Sequence, residues 1–190
     1  MHDFMSACAQ FKAVFLEPIE ILTQPPEPRW RTAAQLVASA TDALGGAHLD
    51  EFADTSAATF QAFVRHRYPA DYKPHAEQLY KVLRCGLLHA ARTDIHGKNL
   101  TNPGLKPIAL THRDLKPFDN TVDGSLVISV PHLCKALTEA FDDFAANPTP
   151  DEHTNFPLRF EISLGASWGV EYSVDPEGAI MPTSPSASAG

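Results

Sequence analysis

Apolar side chains recur along most of this chain at intervals of three, four and seven residues, the period that gathers them on one face of an α-helix. Phe4, Phe11, Val14, Phe15 and Leu22 open the pattern, and Pro18 within it predicts a kink because proline has no N–H to donate. After a break over residues 23–28, Pro28 suits a helix start, and Trp30, Ala33, Ala34, Val37, Ala40 and Leu44 follow at helical spacing. Gly45 and Gly46 read as the stop of this second helix. A third is expected over 55–67, capped at Asp54 or Thr55, carrying Ala58, Phe60, Phe63 and Val64, and ended by Pro69. The fourth opens after Pro74 and extends to about residue 92. Within it Leu79, Leu83 and Leu87 stack four apart, as do Tyr80, Arg84 and Leu88.

From 93 to 123 the period dissolves among polar residues, glycines and prolines, which predicts a long functional or mobile loop. Asp123-Gly124 before the β-branched run 126–130 signals a small hairpin, with 108–111 as the partner strand. Pro131 then opens a fifth helix whose stripe is Leu133, Leu137, Ala140, Phe141 and Phe144, ending at Pro148. The expected class is therefore all-α: about five helices, with a small β-hairpin between the fourth helix and the last main one. Residues 155–174 stay open, since Phe160, Ile162 and Leu164 alternate like a strand while Gly165 and Gly169 weaken either reading. The end is rich in Ser, Pro, Ala and Gly, which predicts a disordered tail over 175–190 and one domain over 1–174 with its core at about 4–148.

Composition narrows the class. A chain of 190 residues with 44% hydrophobic and 20% charged residues, at a mean hydropathy of −0.18, excludes wholesale disorder and a membrane bundle. No apolar run approaches the roughly 18 residues of a spanning helix, and Asp3 stands where a signal peptide is basic, so a cytoplasmic protein is expected. Cys8, Cys85 and Cys134 form no CxxC and are odd in number, which supports neither a disulfide framework nor a thiolate zinc site. His89, His96, His112 and the pair His132-x-Cys134 lack a second ligand pair at zinc spacing, so neither metal nor other cofactor is expected.

The net charge of −8 is unevenly spread. Between Arg65 and Lys116 ten basic residues face four acidic ones, a local +6 that also holds five of the nine histidines; the remainder is −14. Global acidity therefore does not exclude an anionic partner along this segment, which holds the fourth helix and the loop after it, and Arg65, Arg67 and Lys81 are candidate RNA contacts, with a solvated basic face as the alternative.

Candidate chemistry centres on Arg84 and His89 in LYKVLRCGLLH. A guanidinium and an imidazole are both costly to bury without partners, and Gly86 costs a helix about 1 kcal/mol relative to Ala, which a closely packed second backbone would explain. Five residues of α-helix turn the two side chains about 140° apart and rise about 7.5 Å, so one helix cannot present both on one face. A two-fold dimer would bring two of each into one cleft. There a histidine can exchange a proton with a ribose 2′-hydroxyl or a leaving oxygen while arginine holds the phosphate, without metal. The same residues also fit satisfied polar contacts at a packing or dimer interface, or RNA or nucleotide binding without turnover.

The segment LYKVLRCGLLHAART resembles the Arg-x4-6-His signature of the HEPN superfamily. The succession FLEPIEIL, ALGG, FQAFVRHRYPADY, the motif helix and DGSLVISVPHLCKALTEAFDDF is similar to an uncharacterised bacterial HEPN-like family over about 4–148. This resemblance implies a helical homodimer, a metal-independent endoribonuclease with Arg84 and His89 as its active pair, and a partner or antitoxin protein that restrains it. Catalytic members often carry a polar residue directly after the arginine, where this chain has Cys85, so a HEPN-like interaction module without chemistry is the alternative. A second likeness is THRDLKPFDN at 111–120, close to a protein-kinase catalytic loop with Asp114 as base. Asn120 stands one place late, no Gly-rich loop, strand lysine or DFG accompanies it, and the chain is too short for two lobes. It reads instead as a polar loop turned at Pro117.

Overall fold

The computed structural model describes residues 3–26, 28–48, 56–86, 105–118, 121–122, 124–167, 172–174 and 180–182. Helix α1 (Phe4–Phe11) is capped by Asp3, whose carboxylate accepts the Ser6 N–H at 2.8 Å. It passes through a π-helical turn (Lys12–Leu16) into α2 (Glu17–Thr23). Pro18 breaks the ladder without breaking the helix. The widened turn, in which the Glu17 N–H reaches back to the Lys12 carbonyl, takes up the interruption.

Helix α3 (Trp30–His48) packs against α2 and α4 (Ser56–Arg67), and also against two later helices, α6 (Val130–Ala146) and α7 (Pro150–Ser167). Its buried positions are mostly small: Ala33, Ala34, Ala38, Ala40 and Ala47 beside Val37 and Leu44, which lets neighbours close in from several sides. The expected stop at Gly45-Gly46 is corrected here, because the helix runs on to His48. Gly45 serves packing instead. A Cβ there would lie 2.8 Å from the Thr59 carbonyl oxygen, so this is where the backbones of α3 and α4 meet.

A 3-10 turn (Lys73–His75) and the short α5 (Ala76–Gln78) lead into a second π-helical stretch, Leu79–Arg84, so the motif helix is wound wide up to its arginine. Three short strands follow: β1 (Ile108–Thr111), β2 (Thr121–Val122) and β3 (Ser125–Ser129). Gly124, at φ +76°, turns β2 into β3 as an antiparallel hairpin. The expected pairing of 108–111 with the 126–130 run is present, but it is parallel, Ile108 opposite Leu126, so the hairpin is made with β2 instead. The reason is that β3 is central, in the order β1-β3-β2, and its Leu126, Val127 and Ile128 are all buried.

Ser129 ends β3 and caps α6, accepting the His132 N–H at 3.4 Å, with Pro131 in the first turn. The ambiguous 155–174 region resolves largely into α7. Phe156 and Phe160, four apart, are both buried, and Pro157 inside the helix disguises the period. The strand β4 (Tyr172–Val174) pairs with β5 (Ile180–Pro182), which lies inside the 175–190 expected as a disordered tail; the rest of that tail, 175–179 and 183–190, lies outside the described residues.

Rings from α1, α6 and α7 fill the core. Phe11 stacks on Phe141 at 4.8 Å, and Phe156 meets Phe144 at 5.0 Å and Phe160 at 5.4 Å. Each such burial is worth about 1.5–3 kcal/mol. The protein is thus largely helical, with a small three-stranded sheet in place of a lone hairpin. Among the described residues no helix is long and apolar enough to cross a membrane.

Candidate functional site

The wide turn of the motif helix places Tyr80 and Arg84 together, the guanidinium carbon 5.6 Å from the ring centroid. From α3, Asp42 Oδ2 accepts a hydrogen bond from Arg84 Nη2 at 2.7 Å. Tyr80 is itself fixed, its hydroxyl 3.0 Å from Ser56 Oγ and its ring edge-on to Phe60. Burial works against the charge of Arg84, but the hydrogen bond and charge of Asp42 outweigh it and raise the guanidinium pKa. The side chains of Arg84 and Asp42 stay 17% and 23% exposed. Asp42 Oδ1 is buried without a hydrogen-bond partner among the described residues. Cys85 is a half-buried free thiol. His89 lies outside the described residues, as does His96.

The three expected RNA contacts differ in setting. Arg65 is exposed and donates to Gln61 Oε1 at 2.8 Å. Lys81 pairs with Glu77, one turn back, at 2.8 Å. Arg67 turns inward, its Nη1 2.7 Å from Asp143 Oδ2 and its Nη2 2.5 Å from Glu152 Oε2 and 3.0 Å from the Asn147 carbonyl. The physical reason is Glu152, a fully buried carboxylate that needs a counter-charge. His48 Nδ1 at 2.7 Å and the Thr149 N–H at 2.7 Å complete its partners. Burial opposes ionisation of Glu152, yet His48, Thr149 and Arg67 pull its pKa down to about 2. The His66 ring lies 4.9 Å from that of His48, and burial, then the charges of His48 and Arg67, lower the His66 pKa.

Sequence reasoning missed Glu152 entirely. The signal was the spacing Thr149-x-x-Glu152, a capping box in which Thr149 Oγ1 also accepts the Glu152 N–H at 3.2 Å. The kinase-like segment holds no catalytic arrangement among the described residues: Asp114 is 86% exposed and sits 2.6 Å from His132 Nε2. A cavity of about 490 Å³ lies between α2 and α6, lined by Leu16, Ile19, Cys134 and Thr138 among others. Burial pushes the Cys134 thiol up to about 12, far from nucleophilic range. Among the described residues no three His, Cys, Asp or Glu side chains gather as a metal site.

No family model, curated protein or solved structure matches the chain. Among the described residues, fold and geometry by themselves define a largely helical protein with a partly buried arginine held by Asp42 and Tyr80 and a buried ionic knot around Glu152.

Proposed function

We propose that this chain is a HEPN-like, metal-independent endoribonuclease acting as a homodimer, with Arg84 holding the scissile phosphate and His89 moving the proton. The observation that supports it is the setting of Arg84. It is fixed from α3 by Asp42 and from its own helix by Tyr80, stays charged, and keeps part of its side chain at the surface. A guanidinium presents its N–H donors as a planar fork that matches a phosphate, and a pre-positioned fork spends little entropy on it. Asp42 is then a positioning residue. In the reaction, one histidine accepts the 2′-hydroxyl proton, the 2′-oxygen bonds to phosphorus, and the 5′-oxygen leaves with a proton from the partner histidine. The products are a 2′,3′-cyclic phosphate and a 5′-hydroxyl.

A second reading keeps the helical dimer as an interaction or RNA-binding module without chemistry. It is favoured by the same pair, since an arginine already neutralised by Asp42 offers less charge to a phosphate, and Arg67 and Lys81 are likewise spent on acids. Incubation of the purified protein with single-stranded and structured RNA in chelator separates the two. Cyclic-phosphate ends are expected, with loss of about 100-fold or more in His89→Ala and Arg84→Ala. Intact RNA, or equal cleavage by both variants, supports the module instead. Expression in a growing culture gives the same contrast: slowed growth that His89→Ala relieves marks the ribonuclease.

A further inference from the structure

Arg65, Arg67 and Arg84 each have a side-chain partner. Arg29, Arg31 and Arg113 do not: all three are exposed, and among the described residues no side chain pairs with their guanidinium groups. No acidic residue in the first turn of α3 offsets Arg29 and Arg31. These two flank Trp30, and His112, the neighbour of Arg113, lies on Trp30 with ring centroids 6.4 Å apart and planes inclined by 24°. That contact joins two distant segments into one patch. Trp30, expected in the core, is half-buried against it, so the indole is anchored while the His112 ring is exposed. The turn after β1 is pinned by the Arg113 N–H, which donates to Thr111 Oγ1 at 3.2 Å, and the adjacent acid, Asp114, is engaged by His132.

A ring pair, half-buried at Trp30 and exposed at His112, and bordered by exposed guanidinium groups has two complements in one ligand: a flat aromatic face and a phosphate. We propose that this surface binds an aromatic base carrying phosphate, the base stacked on His112 beside Trp30 and the phosphate held by Arg29, Arg31 and Arg113. A free nucleotide and a nucleotide within a single strand share this chemistry. A duplex hides the base faces, and an acidic peptide supplies charge without the ring. The patch uses neither Arg84 nor His89.

The test is fluorescence anisotropy of a labelled single-stranded DNA of about 12 nucleotides, at about 50 and 200 mM salt. DNA lacks the 2′-hydroxyl that cleavage requires, so binding is read apart from turnover. Wild type is expected to bind, His112→Ala to bind about tenfold more weakly, and His112→Phe to recover wild-type affinity, which a patch acting by charge alone would not show. Arg31→Ala with Arg113→Ala should weaken binding about tenfold at low salt and flatten the salt slope by about two. Displacement by AMP assigns the site to a free nucleotide; displacement by unlabelled strand only assigns it to single strands. Equal binding by His112→Ala, competition by duplex or polyglutamate as strong as by the strand, or no binding of strand and AMP alike overturns the proposal. A protein that binds the strand here yet leaves RNA intact defeats the ribonuclease reading and keeps this one.

Discussion

Two arginine–carboxylate contacts, both rooted on α3 or its neighbours, are alike in chemistry and opposite in setting. In the first, Arg67 bridges Glu152 and Asp143, and Glu152 also takes His48 and the Thr149 N–H, joining α3, α4, α6 and α7. In the second, Arg84 meets Asp42 from α3, and one Asp42 oxygen has no hydrogen-bond partner among the described residues. The Arg67 side chain is 6% exposed and that of Glu152 is 0%, against 17% and 23% for the second pair. Buried charges persist only where nearly every bond is made, because the uncompensated cost is several kcal/mol per ion. The full set of partners around Glu152 therefore marks the first contact as architecture, although Arg67 Nε is buried without a hydrogen-bond partner among the described residues. The second lies within reach of solvent, which suits a group that must accept a ligand.

The largest expected effect follows from breaking the knot. Arg67→Ala strands Glu152 in the core and should cost about 3–5 kcal/mol in urea unfolding. A cost near that of Arg84→Ala would erase the distinction between the two regions. Gly45→Ala comes next. Its Cβ would press on the Thr59 backbone and force α3 from α4, the two helices that bring His48 to Arg67, at about 1–3 kcal/mol. An unchanged unfolding midpoint would show that the knot does not depend on that close approach.

Acid sharpens the contrast further. Glu152 titrates at about 2 when folded against an ordinary 4.5, so its contribution is complete above 4.5 and fades as pH falls toward 2. Asp143, held down by its hydrogen bond to Arg67, moves the same way. His66, whose pKa lies below the ordinary 6.5, favours the fold while neutral and begins to oppose it below about 6.5. Thermal melts between pH 7 and 3 should therefore show a falling midpoint, with a shallower fall below 4.5 in Glu152→Gln. Parallel curves for wild type and variant would place the acid sensitivity elsewhere.

The helices were legible wherever burial followed one clean stripe, as in α4 and in α6, because a single period reports a single buried face. Three features escaped that logic. α3 is packed from several sides, so its glycines read as a terminus when Gly45 is a contact. In α7 the interior Pro157 masked the spacing of Phe156 and Phe160. β1 joins β3 across a connection, and nothing local encodes a parallel neighbour. The site divides along the same line. Arg84 stood out as a charge on an apolar helix, whereas its partner Asp42 lies 42 positions away, and Arg67 gave no sign in sequence of the carboxylates that claim it.

The smallest stability effect belongs to the pair that the proposed chemistry needs most. With both side chains partly in water, the Arg84–Asp42 contact should contribute about 1 kcal/mol or less, and a double-mutant cycle of Arg84→Ala and Asp42→Asn isolates that coupling. Coupling in cleavage is expected to be larger. If Asp42 orients the guanidinium, Asp42→Asn should lower kcat about tenfold with little change in KM, while adding it to Arg84→Ala should cost nothing further. Coupling of several kcal/mol in unfolding with none in cleavage would make this pair a second structural knot, and the two arginines would then differ only in how deeply each is buried.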